Sequence, residues 1–166
     1  YMHKYGVERE DLGRVAISQR THAQTNPRAF GYGKPLTMEQ YLGSPVIAHP
    51  LCLYDFCQET DGGCAILVTS AERARDLKQK PAVIRAVTQA STRGQEQMTS
   101  FYREELDSLP EMELAARRVY AISGLGPDDI DAACLYDAFT CEIIMQLESF
   151  GFCGRGEGGD FVMDGN

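Results

Sequence analysis

Basic residues are scarce in this sequence. Sixteen Lys and Arg stand against 24 Asp and Glu, a formal net charge of −8, and the acidic residues are spread along the chain instead of gathered in one block. A nucleic-acid binder needs a basic face, and a polybasic membrane contact needs a Lys/Arg cluster; neither kind of partner is expected. No apolar run approaches the ~20 residues of a spanning helix, so no membrane span is expected either. The opening Tyr1-Met2-His3-Lys4 lacks signal-peptide architecture, and the expectation is a cytoplasmic protein. The six cysteines (52, 57, 64, 134, 141 and 153) form no C-x-x-C pair, and the three histidines are scattered. No metal-ligand set is visible. Four of the cysteines lie in apolar runs and read as buried, reduced thiols. No Gly-Lys-Ser/Thr follows a glycine-rich stretch, which removes the nucleotide phosphate loop. No Ser/His/Asp order can be drawn, and no cysteine has an activating neighbour in sequence, so no nucleophile declares itself. No repeat with a period of 20–50 residues is visible.

What is present is enough for a packed core: 43% hydrophobic residues in a chain of 166, the size of one domain. Residues 7–19 carry Leu12, Val15, Ala16 and Gln19 at helical spacing, with Glu8, Glu10 and Asp11 in the first turn, where they complement the helix dipole. Thr37-Met38-Glu39-Gln40 matches a capping box, which predicts a short helix to about Leu42. Residues 46–55 read as extended. The apolar run 64–69 ends at a cap residue, Ser70, and reads as a strand covered on both faces, followed by a helix over 71–78. Residues 82–88 are β-branched and read as another strand. Residues 93–110 are a long polar excursion. A helix over 111–123 stops at Gly124. A third strand over 130–135 leads into a helix over 141–150, and the five glycines of 151–159 read as a loop. The alternation predicts an α/β protein with a covered sheet.

Three places carry candidate chemistry. Tyr136-Asp137 falls where a strand ends and a helix is about to begin, the position at which open α/β sheets collect ligands. A phenol ionises near ~10 and is a proton donor by default; acting as a base needs help from a neighbouring charge or donor. The plainer reading is a strand-end tyrosine with Asp137 as a helix N-cap. The glycines of 151–159 allow a backbone to approach a ligand closely, or simply form a surface loop. Arg20, His22 and Arg28, with Asn26, suit a phosphate or a solvated helix end.

Four stretches together resemble the thiolase superfamily, in the branch of the sterol-carrier-protein thiolases and the lipid-transfer-protein aldolases that shorten steroid side chains. They are Tyr1 to Gly6 with Asn26-Pro27-Arg28-Ala29; Pro35 to Leu51; Asp61-Gly62-Gly63-Cys64-Ala65 to Ala74; and Asp128 to Thr140 with Leu147-Glu148, Gly151-Phe152-Cys153 and Gly156-Glu157-Gly158-Gly159. The resemblance implies a layered αβαβα fold of which this chain is a central fragment. Residues 1–70 would end the N-terminal half with its loop region, and 71–166 would start the C-terminal half. Thiolases carry Asn-Glu, or His-Asp in the sterol-carrier branch, where this chain has Tyr136-Asp137. A tyrosine there resembles the aldolases. The implied function is retro-aldol carbon–carbon cleavage of a β-hydroxyacyl-CoA from a steroid or lipid side chain. Tyr136 would be the catalytic acid/base, Asp137 would orient, and Phe139, Gly156 and Gly158 would contact substrate. No cofactor or metal is implied beyond the coenzyme A of the substrate. The implied partners are a second thiolase subunit in a homodimer and an OB-fold protein bearing a zinc ribbon. The alternatives are an acyl-CoA acyltransferase using a cysteine outside this chain, and a non-catalytic acyl-CoA- or lipid-binding subunit.

Overall fold

The computed structural model describes residues 1–94 and 103–163. In chain order its elements are α1 (Met2–Tyr5), α2 (Arg9–Ala23), α3 (Met38–Leu42), β1 (Val46–Ala48), β2 (Leu51–Cys52), a 3-10 turn (Leu53–Asp55), α4 (Ala71–Ala74), α5 (Pro110–Ser123), a second 3-10 turn (Pro127–Asp129), α6 (Thr140–Ser149) and α7 (Gly158–Met163). Local chemistry sets the helix starts. The Glu8 amide donates to Asp11 Oδ2 at 2.7 Å ahead of α2. Ahead of α3, the Gln40 amide donates to Thr37 Oγ1 at 3.2 Å and the Thr37 amide to Gln40 Oε1 at 3.0 Å, the reciprocal pair that the sequence predicts. Proline opens α5, where its missing N–H costs nothing, and Gly124 ends it.

Helix α2 is the hub. It packs against α3, α6 and α7, and α5 packs on the α6 side. Its Leu12, Val15 and Ala16 join Leu36, Tyr41, Cys52, Ile144 and Val162 in one buried cluster. The stripe read from the sequence as apolar is therefore the core-facing stripe.

The strands are where structure and expectation part. Among the described residues the ladders are β1 with β2, antiparallel with Val46 opposite Cys52, and an isolated bridge between Phe56 and Phe139. Residues 64–69, 82–88 and 130–135 have no regular structure, and Ile66 and Leu67 are 85% and 86% exposed. A helix closes its hydrogen bonds within itself, whereas a strand exists only through a neighbour that takes its N–H and C=O groups. Composition marks these runs as suited to a pleated surface, and no described strand lies beside them. Two other expectations change. Helix α4 stops at Ala74 after its Ser70 cap, short of the expected residue 78. The glycine-rich stretch is a loop only to Glu157, because Gly158 already begins α7. The expected excursion 93–110 lies partly outside the described residues. The thiols are also less buried than expected: Cys52 is buried, Cys141 and Cys153 are half-buried, and Cys57, Cys64 and Cys134 are exposed. Apolar neighbours in sequence do not bury a thiol when the run itself is uncovered.

One polar node crosses the core. Asp55 is 1% exposed. Its Oδ1 accepts from the Tyr41 hydroxyl and from the Thr140 hydroxyl, each at 2.6 Å, and its Oδ2 accepts the Cys52 amide at 2.6 Å. Burial first, then the Asp55 bond, pushes the Tyr41 phenol up, so it stays a neutral donor. On the surface side, Arg103 makes a two-nitrogen contact with Glu111, at 2.9 and 2.5 Å, and the Thr92 hydroxyl also donates to Glu111.

Asp55→Ala strands three buried donors. It is expected to cost about 3 kcal/mol or more, against about 1.5 kcal/mol for Tyr41→Phe, measured by urea unfolding. The Arg103 hydrogen bond, with help from Thr92, lowers the Glu111 carboxyl from its ordinary 4.5 to about 2. A lowered carboxyl stabilises the fold above its unfolded value and loses that contribution as pH falls from about 4.5 to about 2. Glu111→Gln is expected to flatten the pH dependence of stability within that window.

Candidate functional site

The segment from Tyr136 to Thr140 is held at three points. At its start, the Gln146 side-chain amide of α6 donates to the Tyr136 carbonyl at 2.6 Å. In the middle, the Cys57 amide donates to the Ala138 carbonyl at 3.0 Å. Beside that bond, Phe56 and Phe139 form a bridge and stack edge to face with centroids 5.2 Å apart. At its end, Thr140 opens α6 and binds Asp55. The backbone is thus fixed by groups from both sides of the hub helix, while the Tyr136 side chain is 70% exposed. Among the described residues its hydroxyl makes no hydrogen bond.

Asp137 is not the helix cap that the sequence suggests. Phe139 occupies the N-cap position with extended backbone, φ −142°. The Asp137 carboxylate turns instead toward α2, where Oδ2 accepts from Gln19 Nε2 at 3.3 Å. A cap must sit immediately before the first helical residue; α6 begins at Thr140, so Phe139 holds that place and Asp137 lies two residues short of it. Asp137 and Gln19 line a cleft of about 740 Å³ together with Phe30, Tyr54, Phe56 and Cys57. A recess of about 30 Å³ joins Asp137 to Asp55 and Thr140. The lining mixes apolar and aromatic side chains with Arg20, Gln58, Glu59 and Thr60, and a concave surface of that kind can hold a small molecule.

Phe139 belongs to this cluster through its ring contact with Phe56. Gly156 and Gly158 do not line the cleft. Their amides donate to Glu148 Oε1 at 3.0 and 3.2 Å, and the Tyr1 hydroxyl is a third donor to the same oxygen. A Cβ on Gly156, whose φ is +83°, would lie 2.7 Å from the Tyr5 ring, and one on Gly158 would lie 2.5 Å from Ile144 Cγ2. Both glycines are required by close packing inside the chain. Gly156 opens instead onto a separate cavity of about 310 Å³ with Glu8, Asp11 and Arg14.

Of the basic group at the end of α2, Arg20 is engaged: it donates to the Lys34 carbonyl at 2.9 Å and lies 5.9 Å from the Tyr54 ring centroid. Asn26 accepts the backbone amide of Arg28 at 3.1 Å. Two thiols sit near the α6 side. Burial, then Glu142, raises Cys141. Burial, then Glu148 and Glu157, pushes Cys153 up to about 11. Both are held as thiols, the unreactive form.

Asp55, Gln19 and Gln146 are the functional neighbours that the sequence reading missed. Gln19 carried a signal, being a polar residue on the core-facing stripe of α2. So did Gln146, which is buried between Ile144 and Glu148 on α6. Asp55 carried none.

Residues 92–166 match the family described as thiolase C-terminal domain-like. The chain is 54% identical over 165 residues to the "17-hydroxy-3-oxo-4-pregnene-20-carboxyl-CoA lyase" of Mycobacterium tuberculosis, covering 99% of this chain and 43% of that protein. It is 53% identical over 166 residues to the "steroid side-chain-cleaving aldolase" of Thermomonospora curvata, covering 100% of this chain and 42% of that one. A solved structure described as "Ltp2-ChsH2(DUF35) aldolase" superposes with a TM-score of 0.96 at 53% identity, covering 100% of this chain and 44% of its own. The chain therefore spans about two fifths of the length of the curated relatives it matches. The α/β thiolase-like fold expected from the sequence is the fold found, and residues 92–166 belong to the thiolase C-terminal domain-like family.

Proposed function

We propose that this chain is part of a CoA-thioester carbon–carbon lyase that shortens steroid side chains by retro-aldol cleavage, with Tyr136 as acid/base. The observation that carries the reading is the combination at Tyr136: a backbone held at the 136 and 138 carbonyls and an exposed phenol whose hydroxyl makes no hydrogen bond among the described residues. Relatives at 54% and 53% identity are named as a lyase and an aldolase, which supports the same chemistry here. Cleavage removes the proton of the β-hydroxyl, forms a carbonyl at Cβ and breaks the Cα–Cβ bond. The bonding electrons pass into the enolate of the thioester, which takes a proton at Cα. Tyr136 accepts the first proton and returns one at Cα, so the step is balanced with no further reagent. Donors placed at the enolate oxygen would lower the barrier.

Asp137, held by Gln19, orients groups in the adjoining cleft. Acyl transfer needs an activated thiol, and Cys141 and Cys153 are raised in the opposite sense. No cofactor is needed beyond the coenzyme A carried by the substrate. The description "Ltp2-ChsH2(DUF35) aldolase" joins two components, which supports a partner subunit here. The proposal makes that partner an OB-fold protein with a zinc ribbon and adds a homodimer of thiolase subunits, both as the resemblance implies. Among the described residues no helix is long and apolar enough to cross a membrane, and a cytoplasmic location is part of the proposal.

Tyr136→Phe in the intact protein is expected to lower turnover of a tertiary β-hydroxyacyl-CoA about 10²- to 10⁴-fold while thioester binding is retained. Ketone release and a binding titration read the two effects separately. Turnover equal to the unmutated protein would remove Tyr136 from the chemistry.

A further inference from the structure

Resting on the reading of Tyr136 just given, we infer that Gln146 is the positioning residue for that tyrosine. Gln146 is 3% exposed, buried on the side of α6 opposite the one that carries Ile144 and Glu148. An apolar side chain of similar length would fill that place without desolvating an amide. Burying an amide is unfavourable unless it makes a specific hydrogen bond, and Gln146 makes one across ten residues, from Nε2 to the Tyr136 carbonyl at 2.6 Å.

The bond has a particular geometric meaning. Fixing the Tyr136 carbonyl fixes the peptide plane between Tyr136 and Asp137, and with it the ψ of the residue that carries the phenol. The other two anchors act further on. The Cys57 amide holds the Ala138 carbonyl, and Asp55 holds the Thr140 side chain. Those two keep the turn in place whatever residue stands at 136. The ring itself is exposed and its hydroxyl has no hydrogen bond among the described residues, so its direction depends on the backbone beneath it. Among the described residues Gln146 makes the one side-chain hydrogen bond to that backbone at the tyrosine itself. A displacement of about 1 Å in a reacting group can cost about 10²-fold in rate. Loss of the Gln146 donor is therefore expected to lower kcat and leave substrate affinity alone.

The test uses the intact protein with 17-hydroxy-3-oxo-4-pregnene-20-carboxyl-CoA as substrate. It compares Gln146→Leu, Gln146→Glu and Tyr136→Phe, each checked for folding by thermal unfolding. Gln146→Leu is expected to reduce kcat about 10- to 100-fold with KM near that of the unmutated protein. Gln146→Glu tells positioning from bulk packing. Its carboxylate cannot donate to a carbonyl, but its protonated form can, and burial raises the pKa of such a carboxyl. Its kcat, taken relative to the unmutated protein at each pH, is expected to climb as pH falls. If Gln146→Leu does not fold, this pH ratio decides alone. A dead Tyr136→Phe beside undiminished kcat in the Gln146 variants overturns the positioning role and leaves the lyase reading standing, as does a ratio that stays flat with pH. Undiminished cleavage by Tyr136→Phe overturns the lyase reading, and this inference with it.

Discussion

The carboxylate of Asp55 is the constraint on which the rest of this structure depends. It is buried, and three donors from three separate stretches of chain meet on it: the Tyr41 phenol, the Cys52 amide and the Thr140 hydroxyl. A buried carboxylate is costly unless its lone pairs are matched, and here the matching groups come from α3, from the β1–β2 hairpin and from the first residue of α6. Satisfying one charge therefore fixes the relative placement of three elements around α2. The apolar contacts of Leu12, Val15, Tyr41 and Ile144 supply the driving force for collapse. They are non-directional, and the directional information sits in the bonds to Asp55.

The candidate site follows from that constraint. Because Asp55 fixes Thr140, it fixes where α6 starts, and so where the preceding turn must lie. The Cys57 and Gln146 bonds then act on a segment already brought near. The result is a stiff backbone carrying an exposed tyrosine, followed directly by Asp137, a carboxylate that lines the cleft and is held from α2 by Gln19. Glu148 is a second node of the same design. It gathers the Tyr1 hydroxyl and the Gly156 and Gly158 amides on one oxygen. That explains the glycines after α6 as close-packing positions where the chain returns to its own start.

Helices and their boundaries were readable from residues because their causes are local. The Thr37–Gln40 box, the proline that opens α5 and Gly124 after it act within a few positions. The apolar stripe of α2 was readable for the same reason. The runs 64–69, 82–88 and 130–135 were legible as strand-forming composition and are not strands here, because a strand is completed by a neighbour and not by its own residues. At the site, Tyr136-Asp137 could be picked out as a polar pair between an apolar run and a helix. The capping role given to Asp137 fell two residues further on, at Phe139, and the carboxylate turns to Gln19 instead.

By itself the sequence determined the thiolase resemblance, the helical segments and the position of an unusual tyrosine, since each rests on residue identity or on spacing within a few turns of chain. Tertiary structure alone decided that Asp55 ties Tyr41, Cys52 and Thr140 together, that Gln146 holds the Tyr136 carbonyl, and that Gly156 and Gly158 serve Glu148 instead of the Asp137 cleft. Those contacts join residues from 3 to 85 positions apart. Most of them span separate elements, whose approach is set by how the whole chain buries its apolar surface, and no local pattern records which distant donor an acceptor will meet.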